Sequence, residues 1–567
     1  MRRCGVLLLI GLFVLTAGAS GQSKAEENLY KLGAEILKDL QQYHPVHATE
    51  LGIHEYDGYY TDYSAKEVQK EKKRLRDFLA RLHKYNGTKM SVDARIDHKL
   101  LVGNCETAVL RLWGIRNQDK NPNVYIDEAV GGIYAILLSD YAPMSRRLDD
   151  IIGRMKRLPA FLAQGQDNVK NTPPIWLDYA RQNIDNAISF FESTRDQFMR
   201  DFPERAGEIS EASDGALAAL NSFKRFLEQT TPGAAGSFSI GSEHFNHLLE
   251  SEHMLNFDAD SLLRIGEAMI AKTKAEYAAA KERFESVGMP KSVPPYVPAT
   301  FARQDVFDYY QWEINAVKDF IAEKELLTIP ANIGDCVPIE TPEFLRGVIG
   351  GIAYQPSGPF DAATTGYFYV PPISEEDFEK NQQSYFSKIA KRDFRGSVVH
   401  EAFPGHHLQF QIAAQHPSEI RRWQTNNSLV EGWALYCEEL MYREGLYADE
   451  PEKELNVLKG ILFRAVRIVV DVKLHTGQMT YDQGVEYMMD TIELEEWARP
   501  YITKEVLRYT MDPTQPMSYL VGKLAIEKLK QDVMAREGVA FSLKSFHDRL
   551  LAEGSLPPSL IRRKLLQ

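Results

Sequence analysis

The sequence predicts a mostly α, multi-helix protein of two lobes, with a small β-sheet inserted near residues 327–370. Three observations carry this. The chain has 567 residues, more than one hydrophobic core normally supports. Apolar residues recur at three and four spacing, with charges between them, through most of its length. Only one segment, 327–370, breaks that rhythm with β-branched and aromatic runs set between glycines and prolines.

Taken in order, helical periodicity covers residues 26–43, 65–85, 151–171 and 176–198, and Asn171-Thr172-Pro173-Pro174 separates the last two. Thr230-Thr231-Pro232-Gly233 and the Gly-rich text up to Gly241 read as a linker. Residues 22–230 are therefore expected to form an N-terminal helical lobe, and residues 231–567 a catalytic one. In the second lobe, helices are expected over 261–287 and 304–324, on either side of a Pro-rich stretch from Pro290 to Pro298. Ile333, Val337, Ile339, Val348, Ile349, Ile352 and Tyr354 follow, then Gly366-Tyr367-Phe368-Tyr369-Val370, which stops at Pro371-Pro372. These are strand signals. Helices return from Glu375, and those at about 385–445 carry the metal-site residues.

The first residues read as an export signal. Arg2 and Arg3 precede ten apolar residues from Val6 to Leu15, and Ala17 to Gly21 are small. Ten apolar residues are short for a bilayer span, so residues 1–21 are expected to be a cleaved signal peptide, with an uncleaved anchor as the alternative. No later apolar run is long enough to span a membrane, so no stable membrane insertion is expected after cleavage. The protein should be periplasmic or secreted. Its formal net charge is -13, which repels phosphate backbones and argues against nucleic acid as a partner. After the signal only Cys105, Cys336 and Cys437 remain, too few and too scattered for a disulfide scaffold or a thiolate metal site. Nothing in the sequence gives the oligomeric state.

The chemistry is concentrated in Arg395-Gly-Ser-Val-Val-His400-Glu401-Ala-Phe-Pro404-Gly405-His406-His407-Leu-Gln. Three imidazoles lie within eight residues, and catalytic zinc sites use three protein ligands plus an open position. Glu401 lies about 100° round a helix from His400, which can bring its carboxylate to a water at the metal as general base. The spacing departs from His-Glu-x-x-His, because Pro404 stands where the second ligand should be. An unbroken helix would match His400 with His407, since seven residues return to within about 20°. Pro404 and Gly405 are expected to bulge or break that helix, and His406 then takes the second position. Both alternatives stay open at this stage. Glu431, in the apolar run Leu429-Val430-Glu431-Gly432-Trp433-Ala434, offers the third ligand, because an acid among apolar neighbours needs a partner. Glu438, one heptad later, can orient a histidine from behind.

The His-Glu-Ala-Phe-Pro-Gly-His-His-Leu-Gln motif, followed by Glu-Gly-Trp-Ala-Leu-Tyr, resembles that of a large bacterial family catalogued as a domain of unknown function. Its members resemble the gluzincin metallopeptidases, angiotensin-converting enzyme and the carboxypeptidase Taq type among them. The resemblance implies a two-lobed helical clamshell holding one Zn²⁺ per chain. It implies His400, His406 and Glu431 as ligands and Glu401 as general base. Gluzincins also place a tyrosine or histidine across the cleft to hold the oxyanion. Tyr519 is the first candidate here, with His475 and Arg508 after it. His407, where it is not a ligand, is expected to contact substrate, as is Arg508. Tyr367 and Tyr369 are expected on an edge strand that binds an extended peptide by backbone pairing.

The function this implies is a zinc-dependent hydrolase that cleaves short peptides. A hydrolase of a non-peptide amide or ester, and a non-catalytic peptide-binding protein on a peptidase scaffold, are the alternatives. The two-His, one-carboxylate set also suits Fe(II).

Overall fold

Helices form where the apolar spacing places them. In the computed structural model, which describes residues 23–85, 87–236, 238–287, 302–342, 351–372, 376, 379, 394–448, 450 and 452–567, the chain opens with α1 (Lys24–Tyr43), α2 (Ala65–Leu82), α3 (Val92–Val109), α4 (Asn123–Leu138), α5 (Met144–Asn168), α6 (Pro174–Asp201) and α7 (Ala206–Gln229). Ser23 caps α1 by accepting from the Glu26 amide, and the Glu26 carboxylate accepts in return from the Ser23 amide at 2.8 Å. The expected signal peptide (1–21), the Pro-rich stretch and the sheet positions 343–350 lie outside the described residues. Among those described, no helix is long and apolar enough to cross a membrane.

Two large cores form, and they do not divide at residue 230. Tyr125, Ile151, Leu177 and Leu220 of α4 to α7 close round a core of their own. Leu29, Ile36 and Leu101 of α1 and α3 pack instead with Val306, Phe368, Leu408 and Trp433 from the second half of the chain. Pro- and Gly-rich text marks where a helix stops; which apolar faces meet is decided by tertiary packing, and the sequence does not print that.

The second half runs through α8 (Ala259–Val287), α9 (Gln304–Glu323), β1 (Cys336–Glu340), β2 (Ala353–Gln355), β3 (Gly366–Val370), α10 (Phe394–Glu401), α11 (His406–Ala413), α12 (Asn427–Arg443), α13 (Lys453–His475), α14 (Arg499–Met511) and α15 (Gln515–Glu537). The small sheet is present, in the order β1-β3-β2. β1 lies parallel to β3, with Cys336 opposite Gly366, and β2 antiparallel, with Gln355 opposite Tyr367. β3 is thus the central strand. The expectation that Tyr367 and Tyr369 sit on a free edge is corrected: both edges of β3 are already taken, so its backbone has no ladder to offer a peptide.

A histidine fastens the loop after β2 to the N-terminal segment. His54 Nδ1 lies 2.8 Å from Asp57 Oδ2 and its Nε2 lies 3.0 Å from Asp361 Oδ1, while the ring stacks on Tyr141 at 3.5 Å. Burial alone would lower its pKa, but the hydrogen bonds to Asp361 and Asp57 overcome this and raise it to about 9. A raised histidine pKa stabilises the fold below the unfolded value and loses that effect as pH climbs through the folded value. Wild type should therefore exceed His54→Gln in melting temperature near pH 6, and the gap should shrink towards pH 10. At most about 2 to 3 kcal/mol is involved. A gap that stays constant across that range in paired thermal melts would contradict the charged clamp.

Candidate metal centre

The turn between α10 and α11 decides which histidine faces the centre. α10 ends at Glu401 and α11 starts at His406, so Pro404 and Gly405 break the helix as expected. The chain folds tightly back between them: a Cβ on Gly405 would overlap the carbonyl oxygens of His400 and Val399. The Phe403–Pro404 peptide is cis, and the Pro404 carbonyl accepts from Trp433 Nε1 at 2.8 Å. α12 thereby pins the turn, and α12 also carries Glu431.

Three donor atoms converge. His400 Nε2 lies 3.5 Å and His406 Nε2 3.4 Å from Glu431 Oε2, and the three side chains form a group able to hold a metal ion. Both distances are long for a hydrogen bond, and Glu431 Oε2 is buried without a hydrogen-bond partner. Two ligands of a tetrahedral zinc, at about 2.0–2.1 Å from it, lie about 3.4 Å apart. The donor set therefore fits a Zn²⁺ ion. His400 Nδ1 lies 2.7 Å from Glu438 Oε1, so Nδ1 carries the proton and leaves the Nε2 lone pair facing Glu431. Arg464 stands 3.6 Å behind Glu438.

Electrostatics agree with a cation site. Burial would lower the His400 pKa, yet Glu431 and Glu438 raise it to about 10. Burial would raise that of Glu431, yet His400 and His406 hold it well below the ordinary carboxylate value. Such a site takes up positive charge: protons, or a metal that displaces them.

Tyr519 stands on α15, which crosses α12 closely. Gly432 of α12 and Gly522 of α15 meet backbone to backbone, and a Cβ on Gly522 would overlap the Ser428 carbonyl. Tyr519 precedes Gly522 by one turn, as Glu431 precedes Gly432 by one residue. Burial first, then the Glu431 charge, raises the Tyr519 pKa, which places the phenol within electrostatic reach of the ligand set. Arg467 stacks over Tyr519 at 4.8 Å and Arg464 at 5.7 Å. The glycine in each helix, Gly432 and Gly522, is the signal in the sequence for this crossing.

Other candidates lie elsewhere. His407 is fully buried, with Nδ1 2.9 Å from the Tyr354 hydroxyl and Nε2 3.0 Å from the Gly334 carbonyl. Both ring nitrogens are committed, so it ties α11 to the sheet rather than contacting substrate. His475 is fully buried too, and its Nε2 donates to the Tyr509 carbonyl at 2.8 Å. Burial lowers its pKa to about 4, and with its Nε2–H committed to that carbonyl and the ring packed against Phe238 and Phe245 it is not placed to hold an oxyanion. Tyr369 is fully buried, with its hydroxyl 3.5 Å from that of Tyr134. Tyr367 lines a cavity of about 330 Å³ together with Phe410 and Ala413 of α11 and Ala414 just past its end. These three follow His406 by four, seven and eight residues, so the cavity runs along the helix face that carries the ligand. Arg508 is partly exposed and donates to Gln515 at 2.6 Å and Glu505 at 3.1 Å.

With the centre described, comparison with known proteins adds a family. A family model described as a bacterial protein of unknown function, DUF885, matches residues 45–565. The chain belongs to the DUF885 family. No curated protein matches it. A solved structure of a presumed lipoprotein of unknown function from Shewanella oneidensis is 23% identical, with a TM-score of 0.75, covering 95% of this chain and 100% of that one. Another, a presumed lipoprotein from Colwellia psychrerythraea, is 18% identical with a TM-score of 0.76, covering 96% and 98%. At these identities the likeness is one of fold.

Proposed function

We propose that this DUF885 protein is an exported zinc-dependent hydrolase that cleaves short peptides, of the gluzincin type. The observation that carries the reading is the convergence of His400, His406 and Glu431, with Glu401 next to the first ligand in sequence. A zinc ion held by these three supplies Lewis-acid polarisation of the carbonyl under attack. Glu401, at the end of α10, takes the proton from the attacking water and hands it to the departing amine. The Tyr519 hydroxyl donates to the oxygen that becomes negative. Glu438 keeps His400 in the tautomer that leaves Nε2 free. Export rests on the apolar stretch and small residues at the start of the chain.

The test is elemental mass spectrometry on the protein from about Gln22 onward, beside His400→Ala, followed by a peptide screen. One zinc per chain is expected, lost in the variant. Iron in place of zinc, or no metal after reconstitution, would remove the zinc reading.

A further inference from the structure

A buried histidine bridges the start of α12, which carries Glu431, and the start of α15, which carries Tyr519. His253 lies just beyond a helix over Gly241–Ser251, and its side chain is enclosed by protein. Its Nδ1 lies 2.8 Å from Ser428 Oγ and its Nε2 3.0 Å from Thr514 Oγ1. The Thr514 hydroxyl donates to the Pro513 carbonyl at 2.6 Å, so it accepts from His253 Nε2–H. Nδ1 is then left to accept from the Ser428 hydroxyl. Burial lowers the His253 pKa, which keeps the ring in this neutral form. Ser428 stands one helical turn before Glu431. Thr514 immediately precedes α15 and has a φ of 71°, a left-handed conformation that a β-branched residue rarely adopts. Its amide donates to the buried Asp471 at 3.2 Å, so Thr514 is braced from the amide by Asp471 and from the hydroxyl by His253.

We infer that His253 is a positioning residue: its bridge holds Thr514 in the left-handed conformation and thereby sets where Tyr519 stands relative to the zinc ligands. The inference rests on the peptidase reading, in which the Tyr519 hydroxyl meets the oxyanion, and extends it by one residue. Strained backbone persists only where its surroundings hold it, and it clusters where position matters to function. α15 is held at two places near Tyr519. One is Thr514, and the other is the close approach of Gly522 to the Ser428 carbonyl. Tyr519 follows Thr514 by five residues and precedes Gly522 by three, about 7.5 and 4.5 Å along the axis, so a change of direction at Thr514 moves it. The start of α12 depends less on the ring. Asn426 accepts from the Ser428 amide at 3.2 Å and donates to the Glu252 carbonyl at 2.9 Å, and neither bond uses the imidazole. Loss of the ring therefore leaves Glu431 in place and reaches the chemistry through Tyr519.

The experiment uses the full mature protein loaded with zinc. kcat and KM are measured on the peptide that wild type cleaves fastest in a hexapeptide library, zinc affinity by chelator competition, and folding by thermal melts. His253→Leu should lower kcat at least about tenfold, with KM and zinc affinity within about threefold of wild type. His253→Gln, whose amide both donates and accepts, should stay within about threefold of wild type in kcat. Thr514→Gly added to His253→Leu should recover most of the loss, because glycine takes the left-handed conformation without a brace. In a Tyr519→Phe background, His253→Leu should cost no further kcat. A ring that merely fills the core would give the same fractional loss with either residue at 519, and no recovery from glycine. Either result overturns the inference while hydrolysis stands, as does zinc lost in step with kcat, or Tyr519→Phe at wild-type turnover. Should His253→Leu fail to fold, Ser428→Ala breaks the bridge with the ring retained. Its kcat should fall about threefold, and the fall should disappear in Tyr519→Phe; a fall that persists there overturns the inference. No hydrolysis of any peptide by zinc-loaded wild type overturns the peptidase reading and the inference with it.

Discussion

Glu401→Gln is expected to reduce peptide turnover by about 10²- to 10⁴-fold while the protein keeps one zinc per chain. Glu401 is not among the three converging donors, so removing its charge leaves the ligand set intact. Glutamine has the same shape, and Glu401 closes α10, so the helix has no reason to move. What the change removes is the ability to accept a proton. His400 feels the Glu401 charge, which contributes to its raised pKa. kcat should carry most of the loss and KM little, because the residue acts on the reacting water rather than on substrate binding. His400→Ala should by contrast lose metal and turnover together. Glu401→Gln with more than a tenth of wild-type turnover and full zinc would remove Glu401 from the proposed chemistry.

The helical framework was readable because amphipathic spacing is a local signal: residues 26–43 and 304–324 were expected, and α1 and α9 run Lys24–Tyr43 and Gln304–Glu323. The three converging residues were readable because their types and spacing serve few purposes other than metal binding. What failed was non-local. Tyr367 and Tyr369 looked like edge-strand residues, but strand order depends on where residues 353–355 pair, and a three-residue strand leaves almost no pattern. His475 was named only through the gluzincin resemblance; in the structure its ring is buried against Phe245 and Phe238. His407 looked like a ligand from helical angles alone. The turn at residues 402–405 rotates α11 so that His406 faces Glu431 and His407 faces the sheet. Propensity can say that Pro-Gly breaks a helix, but not through what angle.

That turn makes Gly405→Ala the most severe small substitution available here. The added methyl would overlap two backbone carbonyl oxygens, those of Val399 and His400, and backbone atoms cannot swing aside as a long side chain can. Gly405 has a φ of -70°, so the constraint is space and not a left-handed conformation. The overlap is relieved only by moving the start of α11 away from the end of α10. His406 is the next residue, so its Nε2 moves with the helix, and metal ligands tolerate only about ±0.2 Å. Trp433 holds Pro404 from the other side, which prevents the turn from yielding as a unit. Zinc affinity should fall at least about 100-fold, beyond the roughly 10- to 100-fold typical of losing a residue that merely supports a ligand. The turn borders the core that holds Val399, Leu408 and Trp433, so helix content by circular dichroism is read alongside, and loss of zinc at wild-type helix content is the expected result. Gly207→Ala, where nothing lies within reach of the new methyl, should leave zinc binding unchanged and serves as the control. Competition titration with a chelator reads both variants. If Gly405→Ala held zinc as tightly as Gly207→Ala, the 402–405 turn would not be what sets the His400–His406 spacing, and the choice of His406 over His407 would need another cause.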